Sequence, residues 1–152
     1  MSLLHYIQKV MTDVTKSDIM KHFFYTLLNP TERKETEKES VEKLNAILKK
    51  LKSKYDFLKY IKLIDTTVME IDEGEIVNID PKINEISPTI LGKAITDILI
   101  ESNRPLDKNK AYFLMTEFRK NIGEYYVHAL DLFGVDLDLL ILELEVEKLE
   151  LF

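Results

Sequence analysis

Four residues of this sequence have the chemistry and the spacing of metal ligands. Asp18 and His22 are four positions apart, and Glu124 and His128 repeat that spacing. Residues four apart lie on the same face of a helix, and carboxylate–imidazole sets of this kind hold zinc, iron or manganese inside helical bundles. If two such helices met, the four side chains could form a metal-dependent active site.

The apolar residues of the same two helices argue against this metal site. In each helix the apolar stripe lies on a different face from the carboxylate–imidazole pair. The third histidine, His5, also lies opposite the apolar stripe of its own segment. We therefore expect all three imidazoles to face solvent and the acidic residues to form surface charge pairs.

Other kinds of chemistry find little support in the composition. The chain has no Cys, which excludes disulfides, thiolate catalysis and Cys-ligated zinc. Its four Gly are isolated, so there is no phosphate-binding loop or dinucleotide fingerprint, and no Ser lies in a nucleophile elbow. No catalytic residue and no cofactor are predicted, and the chain is more typical of a non-enzyme than of an enzyme.

Length and charge restrict the domain organisation and the partners. The 152 residues predict a single domain, 1–152, with 65–87 as a candidate hinge between two helical halves. The net charge of −6 argues against nucleic acid. No run approaches the roughly 18 apolar residues of a membrane span. With no Cys either, we expect a cytoplasmic protein whose partner is another protein or a second copy of itself.

The fold class follows from the period of the apolar residues. Helical spacing recurs along most of the chain, which predicts an α+β fold that is predominantly helical, with four to five helices and a small antiparallel sheet. Whether the first two helical segments are continuous stays open. The later helix starts are indicated by Asn29–Pro30, Ser87–Pro88 and Asp107, and Gly134 indicates the end of a long helix that starts at Asp107.

One predicted helix also carries a heptad pattern. Six apolar residues follow one another at alternating spacings of three and four: Val41, Leu44, Leu48, Leu51, Tyr55 and Leu58. Such a row is typical of a long helix packed in a bundle, and about three heptads are also enough for a dimeric coiled coil. These six residues are therefore candidates for an interface.

Two segments show the two-residue period of strands. The first predicts a hairpin near 66–80, with a three-residue loop at Glu73–Glu75 that keeps the apolar residues on one face. The second, near 139–147, alternates Leu or Val with Ile or Glu and predicts a third strand. Leu and Glu also favour helices, so a helix remains the alternative there.

These patterns favour a non-catalytic regulatory or protein-interaction module that self-associates. The heptad row offers an interface between helices, and an alternating terminal strand could add to the edge of a partner's sheet. One alternative is a small-molecule sensor or carrier domain with an aromatic-lined pocket. A second alternative is a helical-bundle enzyme that uses the metal ligands named above.

Overall fold

The fold is α+β and predominantly helical, as the sequence predicts. The computed structural model describes residues 14–28, 36–65 and 75–149. Within these ranges there are six α-helices, more than the four to five predicted, and two strands. In chain order they are α1 (Lys16–Leu28), α2 (Glu37–Leu51), β1 (Ile61–Leu63), β2 (Val77–Ile79), α3 (Pro88–Asn103), α4 (Lys108–Ile122), α5 (Glu124–Leu132) and α6 (Leu137–Leu149). The predicted helix start at Asn29–Pro30 and the segment around His5 lie outside the described residues.

The helix starts are set by local hydrogen bonds. Thr15 Oγ1 accepts from the Asp18 amide at 3.1 Å, and Asp18 Oδ2 accepts from the Thr15 amide at 3.2 Å, which together form a capping box for α1. Ser87 caps α3 in front of Pro88, and Asp107 caps α4. The starts of α3 and α4 confirm the sequence prediction. They were predictable because a cap depends only on residues within one turn of it.

The two strands pair antiparallel, with Ile61 opposite Ile79 and Leu63 opposite Val77. The sequence correctly predicted a strand at 77–79, but it did not predict β1 as the partner of this strand. The partner is the segment directly after the heptad row, where Ile61 and Leu63 are buried together with Val77. Residues 66–74, which include most of the predicted hairpin, lie outside the described residues.

The heptad row does not form one continuous helix. α2 ends at Leu51, whose carbonyl accepts the amides of both Lys54 and Tyr55, and a short 3₁₀ helix (Asp56–Tyr60) carries Leu58. All six interface candidates are buried in the core of the chain: Val41, Leu44, Leu48, Leu51, Tyr55 and Leu58. A coiled coil with a second copy through these residues would first have to open that core.

The predicted long helix from Asp107 to Phe133 is two helices. Gly123 separates α4 from α5 with a φ of 89°, a backbone conformation that residues with a Cβ rarely adopt. The apolar spacing continues through the break, so periodicity alone did not reveal it. The predicted stop at Gly134 is confirmed, since its φ is 88°.

The C-terminal segment is a helix, and the predicted strand near 139–147 is wrong. Asp136 Oδ1 accepts from the Leu139 amide at 3.0 Å and caps α6. The alternation arises because α6 is apolar on two faces, one packed against the core and one exposed. With no single stripe to read, the helix propensity of Leu and Glu was the better guide.

The core is centred on α1, which contacts α2, α4, α5 and β2. Phe23 and Phe24 are fully buried, and Phe23 meets Phe118 of α4 edge to face with 5.6 Å between ring centroids. The helices on either side of residues 65–87 also meet, because α2 packs on α3. The single domain and the hinge at 65–87 stay predictions.

Candidate interaction surface

The four predicted metal ligands have separate roles in the structure. Asp18 caps α1, Glu124 Oε1 accepts from Arg119 at 2.9 Å, and His128 is exposed on α5. In the part of the chain that the structure describes, no group of three or more His, Asp and Glu residues lies close enough to hold a metal ion. The geometry therefore gives the metal-dependent alternative no assembled site.

The sequence predicts that His22 faces solvent, but in the structure its ring is only partly exposed and packs against α4 and α5. Its Nε2–H donates to the Ile122 carbonyl at 3.0 Å, and its ring stacks on Tyr126 with 3.7 Å between centroids and 21° between planes. The break at Gly123 ends α4 and leaves the last carbonyls of the helix without intrahelical donors. His22 supplies one from α1, while His128 is exposed as predicted.

Replacing His22 with alanine is expected to lower the free energy of unfolding by roughly 1–2 kcal/mol, because a hydrogen bond and an aromatic contact are both lost. Urea denaturation at pH 7, followed by circular dichroism, measures the change. His128→Ala is the matched control and is expected to change stability by less than about 0.5 kcal/mol. Equal losses in the two variants would contradict the capping role of His22.

The most unusual surface of the described residues is the outer face of α6. It consists of four exposed apolar residues at spacings of three, four and three: Leu139 (49% exposed), Leu142 (52%), Val146 (46%) and Leu149 (67%). Single exposed apolar residues are common on proteins, but a contiguous row on one helix makes this face a candidate contact site. The sequence prediction missed this face because it placed these residues on a strand.

Two ion pairs and an inner apolar face hold α6 against the rest of the chain. Arg119 Nε donates to Asp138 Oδ1 at 2.6 Å, and Lys108 Nζ lies 2.6 Å from Glu147 Oε2. These two ion pairs join opposite ends of α4 and α6, so the helices run antiparallel. Leu137 is buried, and Leu140, Ile141 and Leu144 pack on the core. The outer face therefore points away from α4.

Carboxylates border the outer face of α6 on both sides. Glu143 is the helical neighbour of Leu139 and Val146 on one side, and Asp138 and Glu145 are neighbours of Leu142 on the other. Asp138 shares the Arg119 cation, whereas no ion pair to Glu143 or Glu145 occurs among the described side chains. The outer face is thus an apolar row between two acidic borders, defined here as Glu143 and as Asp138 with Glu145.

A cavity of about 390 Å³ lies beside α6, on the side of Glu143. Its apolar wall includes Leu99 and Ile100 of α3, Ala111 of α4, and Leu140 and Leu144 of α6. Four charged residues also line it: Arg104, Lys108, Glu143 and Glu147. The lining is aliphatic and charged, not aromatic as the small-molecule alternative anticipated.

No family model, curated protein or solved structure matches this chain. None of the described helices is both long enough and apolar enough to cross a membrane. What the chain does must therefore be inferred from its own surfaces. The outer face of α6, with its acidic borders and the adjoining cavity, is the surface with the clearest chemical character.

Proposed function

We propose that this chain is a non-catalytic protein-interaction module that binds an amphipathic helix of a partner protein on the outer face of α6. The observation that carries the proposal is the exposed row Leu139, Leu142, Val146 and Leu149. Its three–four–three spacing is that of a helix–helix seam, in which apolar residues of two helices interdigitate. Docking a helix with a matching apolar stripe would remove the row from water.

The acidic borders favour a partner helix with basic residues beside its stripe. Glu143 lies on one side of the row, and Asp138 and Glu145 lie on the other. In paired helices the residues that flank the apolar seam select the partner, because like charges repel and opposite charges attract. Lysine or arginine at the flanking positions of the partner would therefore complement both borders.

A second copy of the chain is a poorer occupant of this face at neutral pH. Two α6 helices paired through their outer faces would bring acidic borders against acidic borders in either a parallel or an antiparallel arrangement. The heptad row that first suggested self-association is buried within the core. The proposal therefore specifies a cationic helix as the occupant.

Two synthetic helices test this charge preference. Both carry the same leucine stripe over four heptads, one with lysine and the other with glutamate at every flanking position. We expect the lysine helix to bind with at least tenfold higher affinity in fluorescence anisotropy, and its affinity to fall as salt is raised. Equal affinities, or no binding of either helix, would overturn the proposal.

Variants of the protein locate the binding surface. The double variant Leu142→Gln and Val146→Gln is expected to abolish binding of the lysine helix while preserving the circular dichroism spectrum. The control is Leu132→Gln, which removes another apolar residue, 65% exposed, from α5. If the control weakens binding as much, the outer face is not the site. If the wild type and Leu132→Gln were dimers at neutral pH and the double variant were a monomer, the occupant of the outer face would be a second copy of the chain.

A further inference from the structure

We infer that the cavity beside α6 receives an aromatic side chain of the partner helix. This inference rests on the proposed function and adds to it the identity of an anchoring residue. Interfaces commonly derive most of their affinity from a few large side chains, often Trp or Tyr, that enter a pocket next to a flatter contact. The cavity has the position, the lining and the charges for such an anchor.

The cavity is continuous with the outer face of α6. Glu143 borders the exposed row and also lines the cavity. A partner side chain that extends past this carboxylate would therefore pass from the outer face of α6 into the cavity. Across the cavity, Ile100 is 44% exposed and extends the apolar surface onto α3. In a partner helix docked on α6, the residues on the side of Glu143 would therefore lie above the cavity.

The walls suit a large apolar group. Ile100 of α3 and Leu140 and Leu144 of α6 supply aliphatic surface between the charged residues of the lining, and the buried Leu99 and Ala111 lie behind them. The volume of about 390 Å³ falls within the range of pockets that enclose ligands. An aromatic side chain buries more apolar surface than an aliphatic one and loses less conformational freedom on binding.

The charges that line the cavity give no preference for a cationic tip. Arg104 and Lys108 line it together with Glu143 and Glu147, so the lining has no net charge to attract the end of a lysine or arginine side chain. Both basic residues have acidic partners, since Arg104 Nη2 lies 3.0 Å from Glu101 Oε1 and Lys108 pairs with Glu147. A neutral ring leaves these pairs intact and presents its face to cations, a favourable arrangement. The anchoring residue is therefore expected to be aromatic and neutral, unlike the basic residues at the other flanking positions of the partner helix.

Tryptophan fluorescence gives a direct test, because the protein contains no Trp of its own. The probes are lysine-flanked helices in which one Trp occupies each flanking position in turn, with an otherwise identical Trp-free helix as reference. For one position we expect a blue-shifted emission on binding and an affinity at least tenfold above that of the reference, a difference typical of a buried anchor residue. Water-like emission at every position, although the helices bind, would overturn the inference.

Variants of the cavity separate this inference from the proposed function. Ala111→Met fills the cavity, and Ile100→Gln removes apolar surface at an exposed position where folding is not at risk. Both are expected to abolish the Trp-dependent gain in affinity while the Trp-free helix binds as before. Ala46→Met, at an exposed position of α2 away from the cavity, shows whether an added methionine by itself changes binding. If both cavity variants left the gain intact, the anchor would lie elsewhere, whereas failure of every helix to bind would refute the proposed function itself.

Discussion

Replacing Gly92 with alanine is expected to lower the free energy of unfolding by about 3 kcal/mol, the upper part of the usual range for overpacking a core. Gly92 is buried in α3, where a Cβ atom would lie 1.9 Å from the carbonyl oxygen of Phe133 and 2.8 Å from its carbonyl carbon. A backbone carbonyl cannot rotate away as a side chain can. Either α3 or the end of α5 would have to move, and urea denaturation at pH 7 measures the cost.

The matched control for this variant is Lys93→Ala, at the next position of α3. Lys93 is exposed, so its truncation is expected to change stability by less than about 0.5 kcal/mol. Alanine also has a higher helix propensity than glycine, so an unobstructed Gly92→Ala would stabilise α3. A variant as stable as the wild type, or more so, would show that the chain does not approach Gly92 this closely.

The parts of the fold that local chemistry determines could be predicted from the sequence. The start of α3 at Ser87–Pro88 and that of α4 at Asp107 depend on residues within one helical turn. The buried face of α1, with Phe23 and Phe24, follows from a regular helical stripe. Gly134 ends α5 because its positive φ is a local requirement.

The errors occurred where one spacing pattern fits two structures. The apolar spacing runs through Gly123 without a change of phase, so two helices resembled one. Tyr55 and Leu58 continue the heptad row of α2, although they belong to the turn and the 3₁₀ helix that follow it. In both places the apolar residues are buried in the same core but belong to different helices. Only contacts between distant segments show where one helix ends and the next begins.

The candidate site was missed for a related reason. A helix that is apolar on its inner and outer faces has no single stripe, and alternating Leu and Glu then resembles a strand. The three–four–three spacing from Leu139 to Leu149 was present in the sequence as a signal for a second apolar face. The role of His22 had no such signal, because its partner Ile122 is 100 residues away.

The second large effect is expected at Asp97, which joins α3 to the turn that follows α2. Tyr55 OH donates to Asp97 Oδ2 at 2.6 Å, and Lys54 Nζ donates to the same atom at 2.9 Å. Asp97→Ala would leave the hydroxyl of the buried Tyr55 without this acceptor. We expect a loss of about 2 kcal/mol in the free energy of unfolding at pH 7, measured by urea denaturation.

The loss from Asp97→Ala is expected to depend on pH. Burial raises the pKa of Asp97, but the hydrogen bonds from Tyr55 and Lys54 lower it by more, so this pKa lies below its usual value. Such a carboxylate stabilises the fold above the unfolded-state pKa of roughly 3.9, and this contribution is lost as the pH falls through the lower, folded-state pKa. The difference between wild type and variant should therefore shrink as the pH is lowered from 7 towards 3.

Asp56→Ala is the control that separates this buried link from ordinary surface charge. The pKa of Asp56 is also lowered, first by a hydrogen bond from Lys59, but its side chain is 81% exposed. Solvent screens such a pair, so its removal should leave both the midpoint at pH 7 and the pH profile close to those of the wild type. If the stability lost in Asp97→Ala stayed constant with pH, the charge of the Asp97 carboxylate would not be what links α3 to the turn after α2.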